Sequence, residues 1–237
     1  MIPPVGGDDR LLPETRRACL ALVPILGAAW ILLWVLPGST DELWAWPVAP
    51  EETAVFMGAA YGAGAFLFAR AAAEGRWHAL APVLLPVAAF ATLMALATFL
   101  HWDRFDHGAP LFYVWIGIYV VSPLVALLWL RNRGADPGPQ ARAGATVPGP
   151  VRAVVGAAGA ALTTAGAAFF VEPEPTIEVW PWELTELTAR VVASFTVEAG
   201  LIAMALARDP RWSAWRLLAQ TGALGAALLT VGLLRVA

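Results

Sequence analysis

The sequence predicts an all-helical membrane protein in which seven transmembrane helices form a 3+1+3 arrangement with a parallel internal repeat. Three observations lead to this fold class: 59% of the 237 residues are hydrophobic, only 14% are charged, and seven apolar segments separate the charged residues. Globular domains contain about 25% charged residues, and the mean hydropathy here is +0.66. This composition excludes a cytosolic enzyme, a disordered chain and a nucleic-acid-binding protein that uses a basic surface.

The seven apolar segments have the length of membrane spans. A helix needs about 20 mostly apolar residues to cross a bilayer, and backbone groups cannot stay unpaired in lipid. The first segment follows Arg16 and Arg17. Its apolar run is longer than the roughly 7–15 residues of a signal-peptide core, so we expect it to be retained. The predicted spans are residues 18–40, 53–69, 77–102, 107–130, 153–171, 191–207 and 217–234.

The positions of the arginines predict the orientation. All 15 basic residues are arginine, and 12 of them flank the spans on the side of the N-terminus. The other side carries 11 acidic residues and only Arg104, Arg190 and Arg235. Because arginine-rich loops stay in the cytoplasm, we expect the N-terminus inside, the C-terminus outside and the protein in the plasma (inner) membrane of a bacterium.

Several residue types and motifs are absent from the sequence, and their absence excludes particular reactions and cofactors. No lysine is present, so a retinal-type Schiff base is excluded, and Cys19 is the only cysteine, so no intramolecular disulfide forms. Phosphate-binding loops, His-Glu-x-x-His and Gly-x-Ser-x-Gly motifs are not found in the sequence. We therefore predict no cofactor and no nucleic-acid partner, and the lipid bilayer is the partner that the composition does predict.

An internal repeat organises the chain. Residues 35–46 and 171–182 align without a gap at an offset of 136, and six of the twelve positions agree, including a Trp-x-Trp pair. Arg76-Trp77 corresponds to Arg211-Trp212 at an offset of 135. A duplication of helices 1–3 into helices 5–7 explains both alignments. The predicted parts are a cytoplasmic tail (1–17), repeat 1 (18–102), a linking helix (107–130), a Gly/Pro/Ala-rich cytoplasmic linker (131–152) and repeat 2 (153–237).

The two aligned outer loops form the first candidate site, because in each of them a glutamate precedes the Trp-x-Trp pair at the same spacing. Interfacial tryptophans are typical of the aromatic belt of membrane proteins, but a belt does not require this repeated spacing. We expect each loop to fold as a re-entrant loop or an interfacial helix, and both to line one outward-facing acidic and aromatic vestibule. The residues are Glu42, Trp44, Trp46, Glu178, Trp180 and Trp182.

Glu198 is the second candidate, because it lies near the middle of the sixth span. A carboxylate there costs about 2.5–3.5 kcal/mol on some scales and usually faces the bundle interior. We expect Glu198 to bind a proton or a cation in a cavity, with Arg190 and Tyr61 as candidate partners. The alternatives are a protonated glutamate that donates to a backbone carbonyl and, for Arg190, a surface ion pair with Glu183 or Glu186.

The third candidate is the end of the third span, where two histidines and two aspartates fall within seven residues. Such side chains are ligands for zinc or another divalent ion, although their spacing matches no zinc signature. The alternative is a helix end whose charges are solvated at the membrane surface. The residues are His101, Asp103, Asp106 and His107.

Four stretches of the chain carry a resemblance to known sequences. They are LPGSTDELWAWPVAPEETAVFMGAAY (36–61), ATFLHWDRFDHG (97–108), WIGIYVVSPL (115–124) and WPWELTELTAR (180–190). Together they resemble a group of uncharacterised seven-helix, multipass membrane proteins of actinobacteria. The resemblance covers most of the chain and implies a fold, but it brings no function with it.

Pro50-Glu51-Glu52 ahead of Phe56 is similar to a motif of the duplicated lycopene cyclase domain, which also has two repeats of three helices. This resemblance implies acid catalysis on an isoprenoid or another lipid, with Glu51 or Glu52 as the proton donor. The second repeat departs from the pattern, because Leu187 and Thr188 stand in place of the two glutamates.

The main functional prediction is a non-enzymatic membrane protein that binds or transports a small or lipidic ligand through the outer vestibule. Parallel repeats related by an axis along the membrane normal occur in transporters, whereas a duplication can also build a bundle without transport. Two alternatives stay open. One is a lycopene-cyclase-like enzyme in the membrane, and the other is an accessory subunit that packs against a membrane-protein partner or a second copy of itself.

Overall fold

The computed structural model of the chain describes residues 7–138 and 144–237, so the predicted tail and linker lie partly outside the described residues. Within these ranges the regular structure is helical, with two isolated β-bridges and no strand. Seven helices are long and apolar enough to cross a membrane, which agrees with the predicted number of spans. They are Pro13–Val35, Glu51–Glu74, Trp77–Leu100, Pro110–Ala135, Gly149–Val171, Glu186–Ala207 and Trp212–Val236.

The described residues form ten α-helices, because one of the seven spans is divided into two helices and two loops between spans each contain a short helix. The first span ends in a wider turn at Ile31–Val35, and a 3-10 turn at Ser122–Leu124 divides the fourth span. The helices are α1 (Pro13–Trp30), α2 (Thr40–Leu43), α3 (Glu51–Glu74), α4 (Trp77–Leu100), α5 (Pro110–Val121), α6 (Val125–Asn132), α7 (Gly149–Val171), α8 (Glu174–Val179), α9 (Glu186–Ala207) and α10 (Trp212–Val236).

The spans differ from the predicted bounds for two physical reasons. Several helices continue past charged residues at the membrane surface, where long side chains reach water. Arg70 and Glu74, for example, form an ion pair of 2.7 Å in the last turn of α3. The first span instead ends before the predicted residue 40, because a residue that precedes proline is driven out of the helical region. Leu36, before Pro37, has φ −119° and ψ 48°.

The helices of the two halves are interlocked. α1 packs along α3 in the first half, and α7 packs along α9 in the second. The third helix of each half crosses to the other half, so that α4 packs against α9 and α10 packs against α3. The fourth span, α5 and α6, packs along α4.

Glycine permits the close approach of α7 and α9. A Cβ atom on Gly200 would overlap the Thr163 hydroxyl and would lie 2.7 Å from the Gly159 carbonyl oxygen. Gly222 of α10, by contrast, has no neighbour within 4 Å of such an atom. Gly222 therefore does not mark a close contact between helices.

Two backbone hydrogen bonds recur in the two halves at the arginine-rich end of the bundle. This end is formed by the segments before α1 and α7, the α3–α4 and α9–α10 turns, and the end of α6. In each half, the segment before the first helix pairs with the turn between the second and third helices. The bonds are Trp77 N–Asp9 O (3.0 Å) and Leu11 N–Gly75 O (2.9 Å), and then Trp212 N–Ala145 O (3.0 Å) and Val147 N–Pro210 O (2.8 Å).

Candidate functional site: a lateral crevice at Glu198

A cavity of about 430 Å³ lies between α3, α9 and α10, with one wall from α4. Its lining is mainly aliphatic and aromatic, and the aromatic side chains include Phe56, Trp180 and Phe195. Glu198 is the only ionisable residue in this lining. We refer to this cavity as the lateral crevice.

Glu198 is held in the crevice by the packing of α9. The helix starts with a reciprocal cap, in which Thr185 Oγ1 accepts from the Thr188 backbone N–H and Thr188 Oγ1 accepts from the Thr185 N–H. Val197, next to Glu198, packs against Gly166 of α7, where a Cβ atom would lie 2.9 Å from its backbone nitrogen. The α7 side of α9 is thereby filled, and Glu198 projects into the crevice.

The predicted placement of Glu198 in a cavity agrees with the structure, whereas neither predicted partner bonds to it. The Tyr61 hydroxyl lies 2.6 Å from the Tyr119 hydroxyl of α5, and both tyrosines are buried. Within the described ranges, the Glu198 carboxyl forms no hydrogen bond with another side chain. Nearby, the Thr196 hydroxyl donates to the Val192 carbonyl of its own helix at 2.9 Å.

Arg190 joins three spans at the acidic end of the bundle, opposite the arginine-rich end. Its side chain donates to the Phe170 carbonyl at 3.1 Å and to His101 Nε2 at 2.8 Å. It also forms the predicted ion pair with Glu186, at 3.3 Å. Burial, and then the neighbouring Arg190 charge, lower the pKa of His101, which keeps the imidazole neutral and able to accept. Arg190 therefore has a structural position and does not reach Glu198.

The His/Asp sequence after α4 is not arranged as a metal site. No group of three or more His, Cys, Asp or Glu side chains with a suitable arrangement occurs among the described residues. Each of the four predicted ligands has its own surroundings: His101 accepts from Arg190, Asp103 lies 3.7 Å from Arg104, Asp106 accepts from the Gly108 N–H, and the His107 ring packs on Trp102.

The first Trp-x-Trp loop is part of the core and does not line an open vestibule. Trp44 and Trp46 are 8% and 3% exposed. Their rings lie 5.5 and 4.8 Å from the ring of Trp115, which belongs to α5. The loop folds back because Thr40 Oγ1 bonds to both the N–H and the carbonyl of Val48.

The second Trp-x-Trp loop is the one that reaches the crevice. Trp180 and Trp182 are half-buried. Trp180 lines the crevice and lies 5.9 Å from Phe56, ring to ring. The Trp182 indole N–H donates to Thr53 Oγ1 of α3 at 2.8 Å. The two loops thus differ in role, because the fourth span covers the first loop but not the second.

The remaining predicted acids lie outside the crevice. Glu42 and Glu178 are exposed in the two short helices α2 and α8. Glu51 and Glu52 form the first turn of α3, a position at which acidic side chains stabilise a helix through its dipole.

Comparisons of the chain with known protein families, with curated proteins and with solved structures give no match. The resemblances found in the sequence therefore stay predictions, and the candidate site is defined by its geometry.

Proposed function

We propose that the chain is a multipass protein of the bacterial plasma membrane that binds a lipophilic cation in the lateral crevice. One observation carries this proposal. Glu198, an ionisable side chain in the middle of a membrane span, lines an apolar crevice and forms no hydrogen bond with the other described residues. Ionisable residues inside a membrane are costly and commonly mark binding or transport sites.

The walls of the crevice favour a cation with an apolar body. Phe56, Trp180 and Phe195 present aromatic rings, and aromatic rings attract cations through their negative faces. The Glu198 carboxylate would neutralise the ligand charge, and the aliphatic walls would cover the rest of the ligand. A lipophilic cation belongs to the class of lipidic ligands that the sequence analysis predicts.

We infer that the ligand enters the lateral crevice from the bilayer and not through an outer vestibule. Leu162 and Ala199 line the crevice and are exposed on the side of the bundle that faces lipid. On the other side, α5 and α6 pack along α4. α10 is the counterpart of α4 in the second half. In the described ranges α10 packs mainly against α3 and α4, and no further span covers it on the side of the crevice.

We expect Glu198→Gln to weaken binding of tetraphenylphosphonium by at least about tenfold, because glutamine keeps the shape of the side chain and removes its charge. Binding is measured with the radiolabelled cation on the full chain in nanodiscs. Glu183→Gln, which changes an exposed acid at the acidic end, is the matched control and should bind like the unchanged protein. Equal binding by both variants, or no saturable binding by the unchanged protein, would contradict the proposal.

We infer that the two halves arose by duplication and are related by a rotation about the membrane normal. The recurrent backbone pairs at the arginine-rich end support this, because their residues correspond at offsets of 136 and 135. The outer loops support it too: the Trp44 N–H bonds to the Thr40 carbonyl, and the Trp180 N–H bonds to the Thr176 carbonyl. Both threonines are buried.

The N-inside, C-outside orientation is testable with reporter fusions. The arginine excess at one end of the bundle favours a cytoplasmic position of that end. We therefore expect a fusion at Gly144 to report the cytoplasm and a fusion after Ala237 to report the outside. Alkaline phosphatase and green fluorescent protein provide the two complementary readouts. The same side for both fusions would overturn the orientation.

A further inference from the structure

A chain of three hydrogen-bonded side chains, none of which lines the lateral crevice, lies at the arginine-rich end. His78 Nδ1 is 2.7 Å from Asp9 Oδ2, and His78 Nε2 is 2.9 Å from Ser213 Oγ. Asp9 precedes α1, His78 is the second residue of α4, and Ser213 is the second residue of α10. The fold thus brings together an acid, a base and a hydroxyl from three separate parts of the sequence.

The hydrogen bonds give each side chain the role it has in a serine hydrolase. The Asp9 carboxylate accepts from Nδ1–H, which fixes the tautomer in which Nε2 accepts from the Ser213 hydroxyl. Such an imidazole can take the proton of the hydroxyl as that oxygen attacks. Triads of this kind are recognised by geometry and not by sequence order.

The exposure of the three side chains increases from Asp9 through His78 to Ser213. Asp9 is fully buried and His78 is 4% exposed, whereas Ser213 is exposed. Ser213 and His78 line a cavity of about 550 Å³ at the arginine-rich end. A nucleophile that is open to a cavity, with a buried base and acid behind it, can meet a substrate.

The backbone at Asp9 is held in an uncommon conformation. Its φ of 58° makes it the only non-glycine residue with positive φ in the described ranges. Two further bonds keep the residue in place: its N–H donates to the Ala135 carbonyl at 2.9 Å, and its Oδ1 accepts from the His78 backbone N–H at 2.9 Å. Backbone conformations of this kind cluster at functional sites.

The cavity has features that would stabilise an anion beside Ser213. Three arginines and one glutamate are its charged lining residues apart from His78. Ser213 lies in the first turn of α10, at the positive end of the helix dipole, which favours negative charge. Arg76 and Arg216 are half-exposed in this lining, at 3.6 Å from Asp9 and 3.2 Å from Glu74, whereas Arg211 is already bonded to Asp136 and Asp209.

A second cavity, of about 320 Å³, also includes His78 in its lining. It extends along α4 toward the membrane interior and is lined there by Pro82, Leu85 and Pro86. These apolar side chains could hold an acyl chain, while the half-exposed Arg76 and Arg216 of the first cavity bind a charged head group. The two cavities therefore fit an anionic lipid better than a small water-soluble ester.

We propose that Ser213, His78 and Asp9 hydrolyse an ester of an anionic lipid at this end of the bundle. Ser213 Oγ forms a bond to the ester carbonyl carbon, and its proton moves to His78 Nε2. The carbon–oxygen bond to the alcohol then breaks, and His78 returns the proton to the leaving alkoxide. Water attacks the acyl-serine with His78 as base, which releases the fatty acid and restores Ser213. This activity does not depend on the crevice function.

The test is labelling of the full chain in nanodiscs with a fluorophosphonate probe, followed by mass spectrometry of the labelled peptide. We expect labelling at Ser213, no labelling in Ser213→Ala, and at least 100-fold slower labelling in His78→Gln. Ser122→Ala, which changes a serine in the fourth span, is the control and should be labelled at the normal rate. Size-exclusion chromatography and thermal melting verify that each variant is folded.

Labelling that is absent in the folded protein, occurs elsewhere or is independent of His78 would overturn the triad. The substrate class is tested with fluorogenic esters, because the arginine-lined cavity should accelerate hydrolysis of a long-chain anionic ester at least tenfold over a zwitterionic one. Equal rates for the two head groups would overturn the anionic assignment. Equal rates for a short-chain anionic ester would overturn the lipid assignment.

Discussion

Replacement of Arg211 by methionine is expected to lower the free energy of unfolding by about 3–5 kcal/mol, which is the cost of removing one partner from a buried ion pair. The Arg211 guanidinium donates to both carboxylate oxygens of Asp136 at 2.7 Å and also bonds to Asp209. The residue is only 8% exposed. Methionine would leave two neighbouring carboxylates without their shared cation.

The same variant should change the response to acid. The hydrogen bond from Arg211 lowers the pKa of Asp136 below its ordinary value of 3.8. A carboxyl group with a lowered pKa in the folded state adds stability above its unfolded pKa, and this stability is lost as the pH falls through the folded value. The unchanged protein should therefore lose stability below about pH 4, and Arg211→Met should show a smaller loss in that range.

Denaturant titration in detergent micelles between pH 3 and pH 7 measures both effects. Arg216→Met is the control, because Arg216 is half-exposed and pairs with Glu74 at 3.2 Å. An exposed pair of this kind contributes less than about 1 kcal/mol. Similar losses in the two variants would show that the buried network does not stabilise the arginine-rich end.

Gly200→Ala is expected to destabilise the protein by about 3 kcal/mol, at the upper end of the usual cost of overpacking. The added methyl group would lie 2.6 Å from the Thr163 backbone nitrogen and 2.7 Å from the Gly159 carbonyl oxygen. Neither atom can move without separating α7 from α9. The loss is measured as a lower melting temperature and a smaller monodisperse fraction in size-exclusion chromatography.

Gly222→Ala is the matched control for this prediction. It adds the same atom to another membrane helix, at a position with nothing within 4 Å. Alanine favours the helix over glycine by about 0.5–1 kcal/mol, so this variant should be as stable as the unchanged protein or more stable. A similar decrease in both variants would indicate that contact between α7 and α9 does not cause the effect.

The seven spans could be predicted because apolar length is a local property of the sequence. Their ends could not be fixed in the same way, since Arg70 and Glu74 continue a helix at the surface whereas Pro37 ends one early. The division of the fourth span was open to prediction, because Pro123 lies inside it and a proline removes a helical hydrogen bond.

The site was predictable only in part. Glu198 stands out because a carboxylate interrupts an apolar run, but its surroundings depend on how α9 is rotated and on which helices cross between the halves. Tyr61 bonds to Tyr119 of the fourth span, and this span has no counterpart in the repeat alignment. The predicted position of Trp44 and Trp46 in an open vestibule differs from the structure for the same reason, because Trp115 of that span covers both side chains.

The Asp9–His78–Ser213 chain has no local motif, because its members come from three distant segments. One signal was nevertheless present in the sequence. The alignment of Arg76-Trp77 with Arg211-Trp212 extends by one residue to pair His78 with Ser213. Two positions that correspond in a sequence alignment can lie close together in the fold, and His78 Nε2 and Ser213 Oγ are 2.9 Å apart.

The interlocked packing of the two halves sets the order in which the chain can mature during synthesis. α3 can pack against α10 only after α10 has been synthesised, and α4 can pack against α9 only after α9 has been synthesised. The first three helices therefore enter the bilayer with unfilled contact faces, which lipid must occupy until the later helices displace it. A chain that stops before α10 would therefore leave the side of α3 that packs against α10 uncovered.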